Sequence, residues 1–288
     1  MNKEKTKGIL INLYVYLLAF GIGSIPFLLV DNIIYATALF TSVATVITFI
    51  FSTLYKDVSI YDPYWSVAPL VMIVINMVKY HLWNINSIII LIVVFIWSCR
   101  LTGNWFITYK GLGYEDWRYA KYRNQCQPLV FQLISFFGLH FVPTIVVYFA
   151  LLSSLISIQN ESFNILSIIG VVISLSGVML EIMADQAIHK FLEEHQGERK
   201  TCNISVWRFS RHPNYLGEIT FWVGLNIYFI ALNPSIWYYA SGVILVILLF
   251  LFISIPLMEK HNMERRVDYN EYKDKTSMLL LLPNKKNK

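Results

Sequence analysis

The chain has 288 residues, of which 56% are hydrophobic and only 14% charged, and its mean hydropathy is +0.54. A soluble domain carries roughly 25% charged residues and needs a polar outer surface, so the composition excludes a water-soluble globular protein. The net charge of +5 is explained by basic residues kept beside one bilayer face, and no nucleic-acid partner is expected.

A spanning helix needs about 20 mostly apolar residues. Eight such stretches are predicted, at about 9–30, 33–55, 64–82, 85–104, 129–157, 164–185, 214–232 and 236–258. The first is too long for the apolar part of a signal peptide, and no convincing cleavage site follows it. Charge sets the direction. With Lys3, Lys5 and Lys7 in the cytoplasm, eight crossings return Lys285, Lys286 and Lys288 to that side, and all Lys and Arg except Lys79 then face inward. The fold expected is an all-α, multi-pass transmembrane helical bundle with both termini cytoplasmic. Residues 1–55 supply two helices ahead of a membrane domain at 56–288. Loops are expected at 105–128 and 186–213. The aromatics of the first, with its Lys and Arg, suit a headgroup layer. Cys99, Cys126 and Cys202 are odd in number and form no CxxC pair, so neither a disulfide framework nor a zinc site is implied.

Six segments concentrate polar chemistry. Asp57 to Trp65 opens the third helix, and Asp62-Pro63 reads as an N-cap followed by proline at the first helical position. Trp97, Arg100 and Asn104 end the fourth helix along one face. Glu115 to Tyr119, with Arg123, lie in the aromatic loop. Glu181 and Asp185 stand four apart near the end of the sixth helix and repel one another, so a positive or hydrogen-bonding partner is expected opposite. With His189 they lack the His-Glu-x-x-His spacing, and no metal is assigned. Ser210-Arg211-His212-Pro213-Asn214-Tyr215-Leu216-Gly217-Glu218 joins a polar loop to the seventh helix. Its first turn offers free N–H groups and a positive dipole end, Arg208 and Arg211 add charge suited to phosphate, and Glu218 is an ionisable group one turn inside an apolar helix. Glu259 to Tyr272 follow the eighth helix.

The block from Trp207 to Glu218 resembles the signature of a large, mostly bacterial membrane family of unknown function, similar to the steroid 5-alpha-reductase C-terminal region and related to isoprenylcysteine carboxyl methyltransferases. The resemblance extends over about 55–283. It includes Asp62-Pro-Tyr-Trp65, Trp97-x-x-Arg100, Glu115-Asp-Trp-Arg-Tyr119, Ala184-Asp185-Gln186, and Glu259 through Tyr269-x-x-Tyr272. It implies a nucleotide cofactor clasped by the cytoplasmic half of the bundle and a lipid-accessible pocket above it. Asp62 falls at the substrate-facing acid, with Tyr61, Trp65 and Trp97 lining the substrate side. Arg100, Glu181, Asp185, Arg208, Arg211, His212, Asn214, Tyr215, Glu218 and Glu259 fall on the cofactor side. Trp97 stands where the reductases carry a carbonyl-polarising tyrosine.

The expected function is NADPH-dependent reduction of an enone-like C=C bond in a lipophilic substrate, such as a sterol-like, polyprenoid or unsaturated lipid compound. The alternatives are an S-adenosylmethionine-dependent lipid or isoprenylcysteine-type methyltransferase and a non-enzymatic lipid-binding protein. The expected location is a bacterial inner membrane, with endoplasmic reticulum the eukaryotic equivalent.

Overall fold

The computed structural model describes residues 3–284; Lys285, Lys286 and Lys288, counted above for orientation, lie outside them. The described residues are helical, apart from turns and one isolated parallel bridge between Ser210 and Ser277. Eight helices are long and apolar enough to cross a bilayer: Lys3–Leu29, Ile33–Leu54, Val58–Lys79, Ile85–Thr108, Pro128–Ser157, Ser167–Glu194, Pro213–Leu232 and Pro234–Arg265. They are called spans one to eight below. Large apolar side chains such as Leu17, Leu28, Val172 and Phe252 are more than half exposed, as a lipid-facing surface requires. The chain is an integral multi-pass membrane protein. It divides into two compact units, Met1–Ser162 and Phe163–Lys288.

In the first unit, span one is interrupted between Gly23 and Pro26, where proline has no N–H to continue the ladder. Span two is capped by Asn32, whose side chain accepts from the Ile34 and Tyr35 amides at 3.0 and 3.1 Å. Spans one and two meet through Gly23, where a Cβ would come within 3.1 Å of the Phe40 carbonyl, and through the stacked rings of Phe20 and Phe40. Span three begins with a 3-10 turn, Val58–Tyr61, and continues as the helix Tyr64–Lys79. Here the expected cap is corrected. Asp57 caps the turn by accepting from the Ser59 amide at 3.0 Å, while Asp62 has helical torsions and its carboxylate is engaged elsewhere.

Span five contains a π-helical stretch, Ile134–Phe141, just before Pro143, and span eight contains another, Phe250–Ser254, just before Pro256. A proline ring clashes with the carbonyl four residues earlier, and widening the preceding turn relieves that clash.

The second unit is built on spans six and seven. Gly170 and Gly177 of span six face Gly224 and Gly217 of span seven. A Cβ on Gly170 would lie 2.4 Å from the Tyr228 amide, and one on Gly224 would lie 2.3 Å from the Ser174 amide. Such backbone approach is the way helices associate where lipid removes a hydrophobic drive, and the Ser174 hydroxyl adds a 3.0 Å bond to the Phe221 carbonyl. Span six runs to Glu194, well past the expected end at 185. His189 and Lys190 are therefore helical and not in a loop, and Asp185 lies inside the helix as expected. The fourth helix likewise continues to Thr108, and Trp117–Gln125 forms a short helix inside the expected loop.

Candidate functional site

Each unit holds one concentration of polar groups. In the first, the 57–62 turn is clasped by residues 111–123. The Asp57 carboxylate accepts from the Ser59 amide on one oxygen and from the Gly113 amide, at 2.9 Å, on the other. Gly113 has φ +86°, a conformation that suits glycine. Burial raises the Asp57 pKa, opposed by the two amides. Glu115 accepts from the Val58 amide at 2.9 Å and from both sides of the Arg123 guanidinium at 2.6 and 2.9 Å. Asp116 takes a two-point contact from Arg118, and its amide donates to the Ser59 hydroxyl at 3.0 Å. This frame presents Tyr119, whose hydroxyl donates to Asp62 Oδ1 at 2.7 Å. Burial, and then the charge of Asp62, hold the Tyr119 phenol well above its ordinary range. Burial pulls Arg118 down, but Tyr119 and the two carboxylates outweigh it and the guanidinium stays above its usual value.

Tyr61, beside Asp62, is 2% exposed. Its hydroxyl lies 2.8 Å from Thr144 Oγ1, and its ring packs on His140 at 4.9 Å. It is thus a core residue. Trp97 is fully buried and meets half-buried Trp65 edge-on. Arg100 is half-buried on span four.

In the second unit, the Ser210–Glu218 turn is fixed by the chain that follows span eight. The Arg211 amide donates to the Ser277 carbonyl at 2.9 Å, the Ser210 hydroxyl donates to the Leu279 carbonyl at 2.7 Å, and the Tyr272 hydroxyl reaches the Trp207 and Ser210 carbonyls. Asp268 holds Thr201 through its amide and hydroxyl.

The Arg211 side chain is deeply engaged. Nε donates to Glu259 Oε1 at 2.7 Å, Nη1 donates to the Lys273 and Thr276 carbonyls at 2.7 and 2.8 Å, and Nη2 lies 2.7 Å from Glu259 Oε1. The other Glu259 oxygen meets Lys273 Nζ at 2.9 Å. Lys273 is a partner the sequence reading missed. His212 Nε2 lies 3.6 Å from Glu259 Oε1. Burial holds the His212 imidazole below its ordinary range, with Glu259 partly opposing. The imidazole ring is parallel to that of Tyr215, 5.3 Å between centres.

Beside this braced turn is a cavity of about 130 Å³. Its polar lining includes His212, Asn214, Asn262, Arg266, Tyr269 and Tyr272. Of the side chains lining it, the Tyr269 hydroxyl and His212 Nε2 are buried outside normal hydrogen-bond distance of a partner, Nε2 facing Glu259 at 3.6 Å. Burial raises the Tyr269 phenol, and Glu259 adds to this while nearby Asn262 opposes it. A larger depression, about 530 Å³, runs along Lys3, Thr6, Lys7 and Leu10 on one face of span one and carries no acid.

The structure therefore brings Arg211, His212, Asn214 and Tyr215 together at one cavity, with Glu259 behind them. It does not bring Arg208, which is exposed at the end of its turn, or Glu218, which is buried one turn deeper and accepts from Trp222 Nε1 at 2.8 Å. Glu181 is buried on span six at the glycine contact, its Cγ facing Gly217. Half-buried Asp185 follows Ala184, whose carbonyl accepts from Trp207 Nε1 at 2.9 Å. Tyr269 and Tyr272, three apart on the helix Tyr269–Lys275, also line the cavity, a placement that the sequence reading did not assign to them. Among the described residues no group of three or more His, Cys, Asp or Glu is placed to hold a metal.

The family model described as "Protein of unknown function (DUF1295)" matches residues 48–276. The chain is 24% identical over 249 residues to the uncharacterized protein C594.04c of Schizosaccharomyces pombe, an alignment covering 76% of this chain and 71% of that protein. No solved structure matches.

Proposed function

We propose that this chain, which belongs to the DUF1295 family of proteins of unknown function, is a membrane-embedded reductase that uses NADPH to saturate a C=C bond in a lipophilic, enone-like substrate. The observation that carries the reading is the cavity at the head of span seven, lined by His212, Asn214, Asn262 and Tyr269, with the Tyr269 hydroxyl buried there. Unsatisfied buried groups are rare and call for a ligand or water. At about 130 Å³ the cavity is smaller than the roughly 300–1,000 Å³ of a drug-sized site, so it fits one end of a dinucleotide. His212, Asn214, Asn262 and Tyr269 would hold that end.

NADPH, when bound, supplies the two reducing electrons. The chain's own contribution to catalysis is assigned to the first unit. Asp62, a donor only when protonated, would hydrogen-bond the carbonyl oxygen on which negative charge develops. Tyr119, bonded to Asp62 at 2.7 Å, supplies a phenol that Trp97 cannot. The Asp62–Tyr119 pair favours reduction over methyl transfer, which needs no such acid. We further place the termini and the two charged loops on the cytoplasmic side.

The test is ligand-dependent thermal stability of detergent-purified protein with NADPH, NADH and S-adenosylmethionine. A ligand at a hundredfold excess over its Kd adds about 2.7 kcal/mol of stability. NADPH alone is expected to do so. S-adenosylmethionine alone would move the protein to methyl transfer, and no response to any of them would favour lipid binding without catalysis. Asp62→Asn is expected to keep the NADPH response and lose turnover of an enone lipid.

A further inference from the structure

We infer that the cavity of the second unit receives the uncharged, planar adenine ring of its nucleotide cofactor, and that the cofactor's phosphates stay outside it. The inference rests on the reading that this unit binds such a cofactor, and it reverses the role that the Arg211 charge suggests in the sequence.

Charge comes first. A guanidinium has five N–H donors. Arg211 directs most of them to a carboxylate and to two backbone carbonyls of the C-terminal segment. Glu259 is neutralised from the other side by Lys273. One carboxylate thus faces two cations, and what is taken up before any ligand arrives is most of the Arg211 donor set. Half-buried Arg266 is the other cation in the lining, and a single arginine is a poor clamp for a pyrophosphate.

Shape is the second argument. At the roughly 30 Å³ that a water occupies in the liquid, a cavity of about 130 Å³ has the volume of a few waters, which suits one heterocycle. His212 and Tyr215 line the cavity as a stacked pair, Trp207 and Tyr272 add aromatic atoms, and Ile188, Cys202 and Met258 add apolar ones.

The third argument is the hydrogen-bonding edge. Asn214 and Asn262 each carry one acceptor and two donors, and an asparagine amide matches the N6/N7 edge of adenine in two bonds. Tyr269 is 2% exposed, and its hydroxyl lies beside Asn262. That hydroxyl can serve a ring nitrogen.

The experiment titrates the full-length, detergent-purified chain with adenosine, nicotinamide mononucleotide and inorganic pyrophosphate, reading thermal stabilisation and displacement of NADPH. Adenosine is expected to stabilise and to compete, while pyrophosphate does neither. Tyr269→Phe, which keeps the ring in place, is expected to weaken adenosine about tenfold, the loss of one hydrogen bond of about 1.4 kcal/mol. Binding of pyrophosphate or nicotinamide mononucleotide with no response to adenosine would overturn the inference, as would unchanged adenosine affinity in Tyr269→Phe. If NADPH binds but adenosine does not compete, the inference falls and the reductase reading stands. If adenosine binds and NADPH does not, the adenine site stands, the reductase reading falls, and S-adenosylmethionine becomes the cofactor to try.

Discussion

Arg211 and Glu259 form an ion pair whose side chains are each about 10% exposed. Breaking such a pair leaves a buried charge uncompensated, at a cost of about 3–5 kcal/mol. Glu259→Ala is expected to lower the denaturation midpoint strongly. Arg211→Lys is expected to rescue little, because one ammonium cannot reproduce a fork that meets a carboxylate and two carbonyls at once; differential scanning fluorimetry of the three proteins checks both. His212 brings pH dependence. Its depressed imidazole, facing Glu259, Arg211 and the Tyr215 ring, contributes stability that is whole above the unfolded value of about 6.5 and is lost as pH falls from there toward the folded value. Wild type should therefore lose more stability than His212→Gln over that interval, and equal slopes would remove His212 as the cause. These roles explain what the sequence hid. Arg211 stood out by its motif, but its partner Glu259 is 48 residues away. Asp62 looked like a cap because capping is local, whereas its partner Tyr119 is 57 residues away. Only Asp57, five residues earlier, shows why the cap was not needed at 62.

Among the elements, the contact between spans six and seven depends on having no side chain at four places. A Cβ at Gly217 would fall 2.5 Å from Glu181 Cγ and 2.7 Å from the Gly177 carbonyl. Overpacking of this kind costs about 1–3 kcal/mol or more, so Gly217→Ala and Gly224→Ala are expected to reduce the yield of folded protein and its midpoint. Gly103→Ala, where a Cβ meets nothing within 4 Å, should be neutral or slightly stabilising by helix propensity. Size-exclusion profiles and melting curves of the three variants separate these outcomes. The eight spans were legible because a lipid-facing helix must be apolar along its whole length. The end of span six was not. Hydropathy marks where the membrane stops, and the polar stretch from Asp185 to Glu194 carries no glycine or proline to stop the helix.

For the whole molecule, an even number of spans puts both chain ends on one side of the bilayer. The Lys and Arg distribution is the reason for proposing the cytoplasm as that side. Epitope tags at the two ends should both be accessible in inside-out vesicles and both protected in right-side-out ones; opposite accessibility would contradict eight crossings. The two units also differ in what completes them. The polar frame around Asp62 is built from residues 57–123. The cavity of the second unit needs Tyr269, Tyr272, Lys273 and the carbonyls of Thr276, Ser277 and Leu279, all of which follow the last span.

That dependence sets an order in time. On the ribosome, the residues from Tyr269 to Leu279 emerge after every membrane segment has been made. A nascent chain with all its spans inserted therefore still lacks the complete cavity, and the arginine-bearing turn remains unbraced until the final stretch folds back over it. Inserting the spans and completing that cavity are separate events.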